Sequence, residues 1–251
     1  MKAKEKLLLT LLFVFGLFIN ETDAQFFRDV SLGINAGAFI YQGDLSPSYF
    51  GSLKTPRFGL DVYAEKPISD YVAFRLNLAI ASLKGDESKY DYPAYHRLRD
   101  FKFSTPVDEI SGLAVWNIRG NNYHSYGWTP YLLAGIGVSR LHVSTNLKSR
   151  DTSSIEFETN FPGTAADIAH GTPELIPVIP LGAGFEIPVS KKLSLTAESI
   201  YRITFTDYLD GVSLAANPKS NDRYYSVTFG IKYKLEKRGN EGSVHCPKKV
   251  L

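Results

Sequence analysis

The chain has 251 residues, a formal net charge of +2, 44% hydrophobic residues and one cysteine, Cys246. That charge balance leaves no electrostatic footprint for nucleic acid, and one cysteine excludes a small scaffold stapled by internal disulfides. The length suits one large domain held together by strand pairing or a substantial core.

The first residues read as an export signal. Lys2, Lys4 and Lys6 precede an apolar run from Leu7 to Ile19, broken only by Thr10 and Gly16. Thr22-Asp23-Ala24 before Gln25 offers small residues where a signal peptidase reads. The run is shorter than the roughly 17–25 residues of a spanning helix. No cysteine follows it, so no lipoprotein anchor is expected there. The expected division is a signal peptide at 1–24, a β domain at 25–235 and a tail at 236–251. That tail holds Lys237, Arg238, Lys248 and Lys249 against Glu236 and Glu241, which accounts for the whole net charge.

Beyond the leader, apolar residues recur at every second position, the period of a strand with two unlike faces. Val30–Gln42 carries Leu32, Ile34 and Ala36 on one face and Ser31, Gly33 and Asn35 on the other. Phe58–Leu78 forms two such runs around the break Pro67–Asp70. Asp108–Ile118 follows, with Ile110, Ala114, Trp116 and Ile118 in one phase and Leu113 and Val115 competing in the other. Pro130–Leu141, Pro177–Ile187, Leu193–Phe205 and Tyr225–Leu235 repeat the alternation. These are about eight strands, each near the 9–11 residues that cross a bilayer when tilted.

The connections alternate strictly. Pro67–Asp70, Arg119–Trp128 and Pro188–Lys192 are short; Gly43–Pro56, Lys84–Val107, His142–Ile176 and Thr206–Tyr224 are long and polar. Short turns at one end and long loops at the other are the pattern of an antiparallel transmembrane β-barrel. The predicted fold is therefore all-β, an eight-stranded antiparallel barrel in the outer membrane, reached through a cleaved signal peptide. Its outer face meets lipid. Its polar phase turns inward and brings Asp61, Glu65, Arg75, Glu186, Glu198, Arg202, Lys232 and Lys234 together. So many ions in a dry sandwich core would be costly unless each were paired. Gly33, Gly37, Gly135, Gly137, Gly182 and Gly184 leave room for those long side chains. Tyr41, Tyr71, Trp116, Trp128, Tyr201 and Tyr233 are expected in aromatic girdles at the membrane surfaces. A barrel of this size is filled by its own side chains, so a plugged lumen is expected rather than a diffusion pore.

No catalytic group, cofactor, metal site or small-molecule substrate is expected. His142, with Ser139 and Ser144 near it, is the best nucleophile–base candidate and reads more simply as a polar strand end. Asp207 and Asp210 in Thr206–Ser213 could face a cation; turn capping is the simpler account.

Two loop motifs carry a resemblance. Tyr41-Gln42-Gly43-Asp44-Leu45 forms a YxGDL step after the first strand. Thr206–Ser213, "TDYLDGVS", follows a strand with Glu198 and Arg202, and a Cys-Pro-Lys step, Cys246-Pro247-Lys248, lies in the tail. The chain thereby resembles the PorG-like small barrels of the Bacteroidetes type IX secretion system. Tyr41, Gly43, Asp44, Asp207, Tyr208 and Asp210 carry the match. The resemblance implies a non-enzymatic role, tying a periplasmic ring of PorK lipoprotein and PorN to the outer membrane. Partner contact would then use the short turns and the tail: Tyr123, Tyr126, Trp128, Lys237, Arg238, Cys246 and Lys248. Those turn aromatics equally suit a membrane-surface belt, and Cys246 equally suits a free thiol or an intermolecular disulfide. The alternatives are a generic small barrel, adhesive or envelope-stabilising, acting through its outer loops, or a lipid-modifying barrel enzyme.

Overall fold

The computed structural model describes residues 29–46, 48, 50–91, 99–123, 127–149 and 162–235. The leader 1–24 and the tail 236–251, with Lys237, Arg238, Cys246 and Lys248, lie outside the described residues, as does Tyr126.

Eight long strands, 11 to 16 residues each, build the wall. In chain order they are β1 (Ser31–Gln42), β2 (Arg57–Pro67), β3 (Val72–Asp86), β4 (Lys102–Asn117) and β5 (Thr129–Leu141), then β7 (Leu175–Pro188), β8 (Leu193–Thr204) and β9 (Arg223–Lys234). A two-residue β6 (Ser144–Thr145) adds to the edge of β4. Every pairing is antiparallel. The order β3-β2-β1-β9-β8-β7-β5-β4 closes through β3–β4, so the wall has no free edge. Closure leaves no unpaired strand edge in the wall, a condition for crossing a bilayer with strands.

The alternation read from the sequence sorts the two faces. Leu32, Ile34, Val62, Phe74, Ile110, Leu132, Phe185, Leu195, Phe229 and Ile231 are exposed on the outer wall. Their interior neighbours Asn35, Asp61, Arg75, Glu109, Ser139, Arg202 and Thr228 are buried. This inversion of a soluble core defines a transmembrane barrel. Tyr71, Trp116, Trp128 and Tyr233 point outward at the short-turn end, while Tyr201 pairs with Tyr225 near the other.

Three expectations are corrected. Tyr41 is no girdle residue: it is 1% exposed. It shares the inward phase of Asn35 and Phe39, and an aromatic near a strand end need not face lipid. The connection Lys84–Val107 is strand at both its ends, because β3 and β4 stay paired out to Asp86 and Lys102. There Leu83, Phe103, Thr105 and Val107 keep the inward alternation, while the polar outward residues Lys102 and Ser104 and the proline at 106 mimic a loop. The two competing phases of 108–118 are both real. Leu113 and Val115 point inward and join Ala73, Tyr131, Leu133 and Ile200 in an apolar cluster inside the barrel.

A second apolar cluster seals the long-loop end. Leu45, Phe101, Leu147, Leu209 and Val212 from the loops pack on Phe39, Tyr41, Leu83, Phe103 and Tyr224 from the wall. The helix α1 (Thr164–His170) lies in the connection from β6 to β7 and helps to hold this cap. Gly163 before it has φ +90°, and an added Cβ would come within 2.7 Å of the Leu214 carbonyl carbon.

Phe229 lies midway between Tyr225 and Tyr233 on β9, facing outward. Replacing it with arginine is expected to destabilise the barrel in lipid by about 2–4 kcal/mol, the cost of a cation on the lipid face near the midplane. Urea titration of folded barrel in vesicles measures this.

Candidate functional site

Three polar regions lie along the barrel axis. The first is an ion lattice inside the wall. The Arg75 guanidinium meets Glu65 at 2.8 Å and Glu198 at 2.6 Å. Tyr131 donates to the same Glu198 oxygen at 2.5 Å, and the Tyr63 ring lies 3.9 Å from the Arg75 guanidinium carbon. Arg202 meets Glu109 at 2.7 Å and Asp61 at 3.4 Å, donates to Ser226 at 2.8 Å and lies over Phe39 and Tyr224. Lys232 bridges Glu65 and Glu186 at 2.7 Å each. Seven of the eight interior charges expected from the alternation stand here; the eighth, Lys234, lies at the short-turn mouth.

The lattice explains two of the six glycines; Gly37, Gly135, Gly137 and Gly182 instead lie close against neighbouring strands. A Cβ on Gly33 would fall 2.1 Å from the Tyr63 ring, and one on Gly184 2.5 Å from the Tyr131 ring. Each tyrosine lies flat across a glycine of the neighbouring strand and carries its ring to Arg75. Sequence reading missed Glu109, Tyr63, Tyr131 and Tyr224. Glu109 was legible in principle, since it shares the phase of Ser111 and Asn117; the competing apolar phase hid it. The tyrosines were not, because ring contacts with arginine run across the lumen.

The second region is the cap, where both loop motifs meet. The Tyr41 hydroxyl lies 2.6 Å from Asp210 Oδ2 and 2.7 Å from Asp222 Oδ1. Asp210 also accepts the Val212 N–H at 2.8 Å, and Asp222 the Leu209 N–H at 3.0 Å. The Thr204 hydroxyl donates to the Asp222 carbonyl. Asp44 accepts the Asn217 N–H at 2.7 Å. Asp167 of α1 gathers the N–H groups of Ser213, Leu214 and Ala215 at 3.0–3.1 Å, with the Tyr208 hydroxyl at 3.2 Å. Buried Glu87 holds Arg99, which reaches the carbonyls of Ala215 and Asp44. The long loops are thus tied to one another and to the barrel. Glu87, Arg99, Asp167 and Asp222 were not singled out in the sequence, since each pairs with residues far along the chain.

Tyr41 has one hydroxyl hydrogen and faces two carboxyl groups. It donates to one and accepts from the other only if that other carries a proton. Burial pushes both Asp210 and Asp222 well above the usual carboxylate range, and for Asp222 the negative Asp210 beside it pushes the same way. Asp207 is 9% exposed, its oxygens without a well-formed hydrogen bond among the described residues, and burial raises it to about 7. Among the described residues no group of His, Cys, Asp and Glu is placed to hold a metal ion. The turn-capping reading fits Asp210, which accepts Val212 N–H two residues on.

The third region is the short-turn mouth. Arg119 donates to the Trp128 carbonyl at 2.9 Å and lies against its ring. Tyr123 and Trp128 are exposed at the rim. Asn117 donates to Asn121 and Asn122, which in turn bond Thr129 and the Ser69 carbonyl. Of the nucleophile–base candidates, His142 is exposed while Ser139 is buried in the lumen, its hydroxyl 3.2 Å from Tyr224. His170 stacks on Tyr208 at 4.3 Å.

A closed eight-stranded barrel with an apolar outer wall, an ion-paired lumen and a sealed cap is the architecture of small outer-membrane proteins. The chain belongs to the family described as "Domain of unknown function (DUF6089)", whose model matches residues 5–236. No curated protein sequence matches it. Solved structures with a similar course include Neisserial surface protein A, at 14% identity over 82% of this chain and 97% of that one, TM-score 0.47. Ail, the attachment invasion locus protein of Yersinia pestis, in complex with the heparin analogue sucrose octasulfate, matches at 14% identity, 83% of this chain and 99% of that one, TM-score 0.44. The N-terminal barrel domain of Pseudomonas aeruginosa OprF matches at 10% identity, 83% and 98% coverage, TM-score 0.43. The barrel assignment itself rests on the strand pairing of this chain.

Removing Arg202 as Arg202→Ala leaves Glu109 and Asp61 buried without their cation, and is expected to cost about 3–5 kcal/mol. The loss should appear in urea titration and as reduced heat-modifiable gel mobility. The cap should respond to pH with a definite sign. A carboxyl group raised in the folded state contributes stability present below its ordinary value and lost as pH rises through the folded one. For Asp207 that window runs from 3.8 to about 7; Asp210 and Asp222, raised in the same direction, act with the same sign. Hydrogen-exchange protection of residues 206–222 should therefore fall as pH rises. Asp222→Asn offers Tyr41 an amide N–H that does not titrate, and should weaken the dependence.

Proposed function

We propose that this chain is a non-enzymatic barrel component of the type IX protein secretion system, lodged in the outer membrane and anchoring a periplasmic PorK/PorN ring. The observation that carries the reading is the meeting of the two resemblance motifs in the cap. Tyr41 of the first and Asp210 of the second lie far apart in the chain, yet are joined directly through the Tyr41–Asp210 contact. Two motifs that fold as one unit support a single inherited signature rather than two chance matches.

The sealed lumen suits this role. A barrel closed by apolar clusters and ion pairs offers no conduit for protein cargo, so its part in secretion is that of an anchor. Contact with the ring falls to the short-turn end, where Tyr123 and Trp128 are exposed residue types that anchor interfaces.

Deleting the gene is expected to abolish release of secreted cargo, and pull-down of the barrel from solubilised envelopes to recover the ring proteins. The double substitution Tyr123→Ala/Trp128→Ala should leave the barrel folded, by gel mobility, and reduce that recovery. Normal secretion in the deletion strain, with no ring protein recovered, would refute the proposal.

A further inference from the structure

The mouth at the short-turn end holds a cleft of about 540 Å³, counting its open side. Four lysines line it, Lys191, Lys192, Lys232 and Lys234, against two carboxylates, Glu65 and Glu186. Lys232 already engages both carboxylates at 2.7 Å. Glu65 also meets Arg75 deeper in the lumen. Among the described residues no carboxylate lies within ion-pair reach of Lys191 or Lys234. The cleft is therefore positive at its open side, with its own anions spent below.

The walls are cross-bonded. Asn117, Asn121 and Asn122 also line the cleft, and their amides are locked to one another, to Thr129 and to the Ser69 carbonyl. The Leu235 N–H bonds the Val30 carbonyl at 2.8 Å, so the chain leaves the wall beside this mouth.

We propose that this cleft binds an acidic peptide segment, with Lys191 and Lys234 meeting its carboxylates. Lipid headgroups are the less fitting anion. The cleft opens inside the ring of strand ends, whereas Tyr71, Trp116 and Trp128 point away from it on the outer wall, where headgroups lie. Charge complementarity of this kind governs association rate and partner choice. The inference rests on the proposed function in placing this end in the periplasm and deepens it by giving the partner's chemistry: the segment docking here is rich in Asp and Glu.

The test uses refolded barrel in zwitterionic nanodiscs and fluorescein-labelled hexaglutamate, read by anisotropy. Saturable binding is expected, weakening as salt rises, with no binding of hexalysine. Lys191→Glu/Lys234→Glu should weaken it by roughly tenfold or more; Lys191→Gln/Lys234→Gln, which introduces no repulsion, should give a smaller loss if the reversal variant fails to fold. Equal binding by the folded variants overturns the proposal. So does displacement of the peptide by inorganic phosphate, or by vesicles containing phosphatidylglycerol, at matched charge concentration. The outcome separates from that of the ring pull-down. Peptide binding without ring recovery keeps the cleft and removes the secretion role; ring recovery without peptide binding does the reverse.

Discussion

Two guanidinium groups, Arg75 and Arg202, stand fully buried in the lumen, and the rest of the structure is arranged to keep them charged at bearable cost. An unpaired ion in a medium of low dielectric is among the most expensive things a fold can contain. Each arginine meets two carboxylates and an aromatic face, and the carboxylates take further donors from Tyr131, Tyr224 and Lys232. A lattice of this kind requires long inward side chains. They in turn require glycines on neighbouring strands, and the hydrophobic residues are left for the outer wall. The lipid-facing surface and the ionic interior are two faces of one alternation.

The two apolar clusters give the lattice its boundaries. The smaller one lies within the wall; the larger one, at the long-loop end, is built from loop and strand residues together. The cap is consequently part of the barrel's packing rather than a set of free loops. Its carboxyl groups around Tyr41 belong to a different electrostatic regime from the lumen: among the described residues no cation lies within ion-pair reach of Asp210 or Asp222, and burial pushes both above the usual carboxylate range. Ion pairs dominate the middle of the molecule, and buried carboxyl groups around one tyrosine hydroxyl dominate the long-loop end.

Much of this was legible in the amino-acid order. Period-2 alternation located all eight long strands, and the alternation of short and long connections set the barrel topology. The inward charges followed from phase alone. Failures occurred where phase and residue character disagreed. Leu113 and Val115 are apolar residues on the inner face, which blurred the fourth strand and concealed Glu109. Lys102, Ser104 and Pro106 are polar or strand-breaking residues on the outer face, which shortened the third hairpin. Tyr41 was judged by its type rather than its phase. The partners in the cap were beyond reach for a simpler reason: Asp167 with Ser213, Glu87 with Arg99 and Tyr41 with Asp222 are contacts of tertiary structure, with no local pattern to announce them.

Collision accessibility of spin labels at positions 227, 229 and 231, placed one at a time in a Cys246→Ser background and read in lipid bilayers, bears most directly on the inside-out arrangement. Oxygen, which partitions into acyl chains, should relax all three strongly, and a water-soluble nickel chelate should barely touch them. Labels shielded from both reagents would mean that this face is packed in a protein core. Labels open to nickel would mean that it faces water. Either result contradicts a barrel whose charges are enclosed and whose hydrophobic wall meets the membrane.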